Sequence, residues 1–303
     1  KLTRKLIMSY FSPHILGILL AALGALFWGA SGIAAQYLLD IQQLDPAQLT
    51  SLRMTSAGIL LLVIAYITPN AHIFFIWKDK KSIPSLIIFG IIGLFSTQFT
   101  YFVAIKYSNA AAATVLQYLL PLIIVGWNCL TEKRFPFFKE IICTLLAFIG
   151  TFLLVTKGEI GTLSISIKAL IWGIISAFAA AIYNLQSRSL IQKYGAASVI
   201  GWGLLIGGTT SLPITQPWKF IGILDIYTLS AFLFVVIVGT ILSFCFYLSS
   251  SKYLSPIEMS IIAAIEPIAS VILSILIFNQ LFTWTELAGI GLIISAILAV
   301  SIY

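Results

Sequence analysis

The sequence predicts an all-α polytopic membrane protein of ten transmembrane helices arranged as two inverted five-helix repeats. Three observations carry that expectation. Apolar residues make up 60% of the chain and charged residues only 9%, long apolar stretches alternate with short polar breaks, and the chain resembles itself at a fixed shift. Such a composition leaves too little polar surface to coat a soluble domain.

A hydrocarbon core about 30 Å thick needs roughly 20 apolar residues per helix. The chain offers Ile15–Leu38, Pro46–Ile67, Pro84–Ile105, Ala110–Leu130, Phe137–Val155, Ala169–Leu190, Ala197–Thr215, Ile226–Ser249, Leu254–Phe278 and Glu286–Ile302. These runs are apolar all round and closed by turn residues such as Asp45-Pro46 and Thr68-Pro69-Asn70. Barrel strands would instead read as alternating segments of about ten residues. The first run is longer than the apolar part of a signal peptide and carries Trp28 and Gln36 late in the span, so it reads as a retained helix.

The basic residues fall between helices rather than in one stripe, and no nucleic-acid-binding motif is present, so the net charge of +7 reports orientation. With the N-terminus inside, cytoplasmic segments hold Lys1, Arg4, Lys5, Lys78, Lys80, Lys81, Lys133, Arg134, Lys139, Arg188, Lys193 and Lys252. The other side holds Lys106, Lys157, Lys168 and Lys219. This asymmetry predicts that both termini are cytoplasmic, and the membrane expected is the bacterial cytoplasmic one. Cys129, Cys143 and Cys245 lack close spacing, and His14 and His72 sit at helix edges, so neither a disulfide framework nor a metal site is expected. No cofactor is expected either.

Self-similarity is the most informative feature. A shift of 146 residues places Gly93 on Gly239, Tyr101 on Tyr247, Lys106 on Lys252, Tyr107 on Tyr253, Pro121 on Pro267, Val125 on Val271 and Leu130 on Leu276. Thr97 with Ser243 and Thr114 with Ser260 are conservative matches in the same register. The division expected is a cytoplasmic segment at 1–13, a first repeat at 14–157 and a second at 158–303. An odd number of helices per copy makes the second copy enter the membrane from the opposite side. Inverted halves can exchange inward-open and outward-open shapes around a site near the midplane.

The chain resembles the drug/metabolite transporter superfamily, in its ten-helix branch with two EamA-type domains. The resemblance rests on Phe27-Trp28-Gly29, on Pro46 through Arg53 with Ala57-Gly58, and on Ser108-Asn109-Ala110-Ala111-Ala112. Pro121 with Glu132 and Ile265-Glu266-Pro267 complete it, while Asn279-Gln280 stands where the family usually has Gly-Glu. The resemblance implies a solute exporter or, less often, an importer of amino acids and other small metabolites. It also implies a central cavity lined by helices 1, 3, 4, 6, 8 and 9.

Glu266 is the first candidate for substrate binding or coupling, because an ionised carboxylate near the midplane is costly unless paired, hydrated or protonated. Its alternative role is a permanently protonated acid bonded to a neighbouring helix. Pro121 and Pro267 lack a backbone N–H and should kink helices four and nine at matching points, as hinges or as static packing. Arg53, about seven residues into helix two, reads as a structural charge whose stem snorkels outward, paired with Asp40 or Asp45, with direct substrate contact as the alternative. Glu258 has the same ambiguity near the cytoplasmic side. Trp28, Gln98, Tyr101, Gln117, Tyr118, Tyr183, Asn184, Ser243 and Tyr247 have the depth of cavity-lining residues, although polar side chains also tie helices together. The Gly203–Gly207 spacing suits close helix contact.

A phosphate loop and a nucleotide-binding domain are absent, so transport would run on gradients, and no filter or charged ring suggests a channel. The peripheral histidines argue against an enzyme. The expected partners are a small-molecule substrate, the bilayer and protons as coupling ion, with the chain a monomer or weak homodimer. A facilitative or importing carrier of an amine or metabolite is the alternative.

Overall fold

The computed structural model describes residues 12–68, 73–157, 165–219, 225–254 and 256–301, and no strand occurs among them. Each stretch expected from the sequence is helical. In chain order, α1 is Pro13–Ile41, α2 Pro46–Ile67 and α3 Ile83–Tyr107. Next, α4 is Ala110–Gln117 continued by Leu120–Thr131, α5 is Phe138–Thr156, α6 Ile167–Tyr194 and α7 Ala196–Thr215. Last, α8 is Ile226–Ser250, α9 is Pro256–Ala263 continued by Ile265–Phe278, and α10 is Trp284–Ser301. Seven of these rods are long and apolar enough to cross a membrane, and Ile265–Phe278 and Trp284–Ala296 are shorter apolar helices. The chain is an all-α polytopic membrane protein. Lys1, Arg4, Lys5, His72 and most of the 1–13 segment lie outside the described residues.

Local chemistry sets where the rods begin. Asp45 accepts from the Ala47 N–H at 2.8 Å beside a proline at the first helical position, and Asn109 accepts from Ala112 N–H at 2.8 Å. Glu140 reaches back to the Phe137 N–H at 2.7 Å, and Glu286 to the Thr283 N–H at 2.7 Å. Those two caps are related by the same 146-residue shift as the sequence repeat. So are two left-handed residues that close α4 and α9, Lys133 at φ 52° and Asn279 at φ 51°. Asn279 fills a position where the family pattern has glycine, and asparagine tolerates that backbone better than most residues.

Repeat mates pack against each other and run antiparallel. Along the α2–α7 seam Thr55 faces Gly208, Gly58 faces Leu205 and Leu62 faces Gly201, one helix ascending as the other descends. The α5–α10 seam crosses where Gly150 and Gly289 each face the other's carbonyl, with Ala147 beside Ala296 at one end and Leu154 beside Ile290 at the other. This is the packing of an inverted repeat.

The α2–α7 seam depends on missing side chains: a Cβ on Gly58 would lie 2.6 Å from the Leu205 backbone nitrogen. Gly58→Leu is expected to lower stability by about 1–3 kcal/mol through overpacking, read as a drop in thermal midpoint of the detergent-solubilised protein. Gly126→Leu is the control, since nothing lies within 4 Å of its added Cβ, and equal losses in the two variants would refute the seam argument.

Long-range contacts sort the loops into two ends. Lys193 Nζ meets Asp79 at 2.5 Å and His14 Nε2 meets Glu258 at 2.6 Å, placing the starts of α1 and α9, the α2–α3 loop and the end of α6 together. Lys193, then Tyr194 and Ser82, hold the Asp79 carboxyl well below the usual carboxylate range. At the other end Ser166 Oγ donates to the Tyr107 carbonyl at 3.0 Å, and Lys157 Nζ lies 3.7 Å from Glu286. That second end is sealed by a buried apolar plug of Leu38, Leu39, Leu49, Phe102, Ile105 and Val235.

Candidate functional site

Between the plug and the end that holds the Lys193–Asp79 and His14–Glu258 pairs lies a cavity of about 290 Å³, bounded by α1, α2, α3, α4, α6, α8 and α9. Trp28, Gln98, Tyr101, Gln117, Tyr118, Tyr183, Asn184, Tyr247 and Glu266 all face it. Ser243 does not: it is buried, and its hydroxyl donates to the Val238 carbonyl at 2.8 Å, five residues earlier in a widened π-type stretch of α8.

The sequence motifs account for the cavity walls. Gly29 lets α1 press on the backbone of α9, since a Cβ there would sit 2.7 Å from the Glu266 carbonyl oxygen. The preceding Trp28 then turns its ring into the cavity edge-on to Phe244, with centroids 5.3 Å apart, and 5.0 Å from Tyr247. The α4 and α9 rods break over Tyr118–Leu119 and at Ala264, two to three residues before Pro121 and three before Pro267. A proline lacks the donor for the carbonyl four residues earlier and crowds it, so the break falls in the turn preceding Pro121 and Pro267. The two broken helices bring Tyr118 and Glu266 together: the Tyr118 hydroxyl lies 2.8 Å from Glu266 Oε2 and 2.8 Å from the Ala263 carbonyl.

Arg53 corrects a sequence expectation. It does not snorkel outward to Asp40 or Asp45; it is 6% exposed and lines the cavity. Nε donates to Thr240 Oγ1 at 2.9 Å, Nη1 to Gln98 Oε1 at 2.8 Å and Nη2 to the Gly239 carbonyl at 3.2 Å, while the guanidinium sits 5.3 Å over the Phe102 ring. The π-type stretch Phe234–Leu242 supplies two of those acceptors, and Asp45 is occupied as the α2 cap. No sequence periodicity marks that pairing, because Arg53 and Thr240 come from different halves.

Other candidates both line the cavity and tie helices. Gln117 Nε2 donates to Ser176 Oγ at 2.6 Å, the Tyr101 hydroxyl meets Thr114 Oγ1 at 2.8 Å, and the Tyr247 hydroxyl donates to the Met259 carbonyl at 3.3 Å. Asn184 bonds its own helix at the Ala180 carbonyl, 2.7 Å away. Among the described residues no group of three or more His, Cys, Asp and Glu side chains could hold a metal ion. The cavity combines the Glu266 carboxyl group, the Arg53 guanidinium and the aromatic rings of Trp28, Tyr101, Phe102, Tyr118, Tyr183, Phe244 and Tyr247.

The EamA-like transporter family matches the chain twice, over residues 15–156 and 167–302. The chain belongs to that family. A relative from Salmonella typhimurium, described as an "uncharacterized inner membrane transporter YicL", is 37% identical over 94% of this chain and 95% of its own length. More distant are the Bacillus subtilis protein described as "uncharacterized transporter YyaM", 24% identical over 94% of each chain, and protein PecM of Dickeya dadantii, 23% identical over 90% of this chain and 88% of its own. A solved crystal structure with 18% identity superposes with a TM-score of 0.65 over 93% of this EamA-like chain and 95% of its own, and shares its fold. Two matches in one chain give the family-level counterpart of the repeat read from the sequence.

Proposed function

We propose that this EamA-like transporter is a ten-span secondary carrier of the bacterial inner membrane that exports a small zwitterionic solute, such as an amino acid with an apolar or aromatic side chain, by alternating access. The observation that carries the reading is the presence of Glu266 and Arg53 on the walls of one cavity, among the rings of Trp28, Tyr101, Phe102, Tyr118, Tyr183, Phe244 and Tyr247. In this reading Glu266 meets the ammonium group and exchanges it for a proton, while the two N–H groups of Arg53 not given to Thr240, Gln98 and Gly239 meet the carboxylate. The aromatic faces take the side chain. A volume near the lower end of small-molecule pockets, which run to about 300–1,000 Å³, suits a solute of amino-acid size.

The inverted halves support alternating access, with the plug at one end as the closed gate and Pro121 and Pro267 marking the hinges. The working unit is a monomer or weak homodimer with both termini cytoplasmic. A second reading, a facilitative or importing amine carrier, is favoured by the same acid and aromatic rings acting on a cation without help from Arg53.

Uptake of a radiolabelled amino-acid and amine panel into proteoliposomes, with and without an imposed pH gradient, tests the proposal. Saturable, gradient-responsive uptake of amino acids above amines of matching side chain is expected. Saturation by amines alone would move the assignment to the second reading, and no saturable uptake of either class would overturn both.

A further inference from the structure

The hydrogen-bond count around Tyr118 does not close for both ionisation states of Glu266. Pro267 has no N–H, so the Ala263 carbonyl, four residues earlier, lacks its helical donor. The Tyr118 hydroxyl stands 2.8 Å from that carbonyl and 2.8 Å from Glu266 Oε2, yet a phenol has one proton to give. If Glu266 is a carboxylate, Tyr118 donates to it and the Ala263 carbonyl loses its donor. If Glu266 is a carboxylic acid, it donates to the Tyr118 oxygen, Tyr118 donates to Ala263, and every group is satisfied.

We propose that Tyr118 is the positioning residue that converts the protonation state of Glu266 into a backbone change at the α9 break, by reversing the direction of its hydrogen bond. Protonation bonds the Ala263 carbonyl to α4 and ties the two broken helices together; loss of the proton releases it. The proposal rests on the reading of Glu266 as the coupling group. Every arrangement conserves protons, since the only proton gained or lost is the one on Glu266.

The device occurs once in a duplicated molecule. The 146-residue shift carries Tyr118 to Ala264 and Leu120 to Glu266, so each half supplies one member of the pair and its repeat mate cannot titrate. The charged and titratable groups facing the same cavity are Arg53 from α2, Tyr101 from α3, Tyr183 from α6 and Tyr247 from α8. Arg53 is held by Gln98, Thr240 and Gly239, Tyr101 by Thr114, and Tyr247 by Met259, so Tyr118 is the hydroxyl placed between the acid and an open helix carbonyl.

Infrared difference spectra of the purified full chain, recorded between acid and alkaline pH without any solute, test this directly. Against the background of the chain's nine other Asp and Glu residues and eleven other tyrosines, wild type is expected to show one carboxylic C=O band and one tyrosine C–O band that change together with one midpoint. Glu266→Gln should lose both, because an amide does not titrate and so holds Tyr118 in one hydrogen-bond arrangement at every pH. Tyr118→Phe should lose the tyrosine band and keep the carboxyl band. Pro267→Ala restores the helical donor to Ala263, so the tyrosine band should still change with Glu266 while the amide C=O shift that accompanies it in wild type is suppressed, which keeps the test open if Tyr118→Phe does not fold. A tyrosine band that is absent from wild type, or that survives in Glu266→Gln, overturns the proposal. Because no solute is used, this failure is separate from failure of the carrier: gradient-driven uptake with no tyrosine band removes the switch and leaves the transporter.

Discussion

Arg53→Gln is expected to raise the KM for a zwitterionic substrate by roughly 10- to 150-fold while leaving the KM of a carboxylate-free amine within about threefold. A hydrogen bond to a charged group contributes about 1.5–3 kcal/mol, and every 1.4 kcal/mol is tenfold in an equilibrium constant. The asymmetry between substrates separates recognition from scaffolding. Arg53 also holds Gln98 of α3 and the Gly239–Thr240 segment of α8, so its loss must disturb the wall to some degree. A purely structural residue would weaken both substrate classes equally, and that outcome in proteoliposome kinetics would remove Arg53 from the binding site. Arg53→Lys should recover only part of the loss, since an ammonium group is a point charge without the planar fork that meets a carboxylate at two atoms.

The fold was largely legible because in a bilayer each apolar run must satisfy its own backbone, which makes a helix of nearly every long run. The repeat was legible for a different reason. Residues such as Tyr101, Pro121, Tyr247 and Pro267 are too uncommon to agree by chance in one register, and the structure adds matched caps at Glu140 and Glu286 and matched left-handed residues at Lys133 and Asn279. Most polar candidates chosen by depth along a helix face the cavity, since a polar group far from both helix ends has only the interior of the bundle to face.

Depth misplaced Arg53 because it measures distance along one helix and says nothing of what packs over it. The ends of α1 and α3, with Leu38, Leu39, Phe102 and Ile105, close above the guanidinium and bar the way to water. Ser243 is misplaced as well. Its repeat mate Thr97 lines the cavity whereas Ser243 is fully buried, although both hydroxyls bond carbonyls of their own helices. The contact between Tyr118 and the Ala263 carbonyl was beyond sequence reasoning altogether, because it joins a side chain in one half to a backbone atom in the other.

Glu266→Gln is expected to abolish accumulation driven by a pH gradient while counterflow of the same solute persists, with its KM raised roughly 10- to 150-fold by loss of the charged contact to the ammonium group. The substitution keeps the shape of the side chain and a polar group for Tyr118, but removes the site at which a proton can exchange with an ammonium group. One pH unit corresponds to 1.36 kcal/mol per proton, so a carrier exchanging one proton per solute can concentrate that solute about tenfold per unit of gradient. Without the titrating group the accumulation ratio should fall to one at every gradient imposed. Counterflow needs no net proton movement and asks only that the loaded cavity change its exposure, which under the proposed alternating access does not depend on whether residue 266 is an acid or an amide. Retained accumulation in Glu266→Gln would assign coupling elsewhere. Loss of counterflow together with accumulation would make Glu266 a binding group whose charge is needed at every step of the cycle, not the group that ties the solute to the proton.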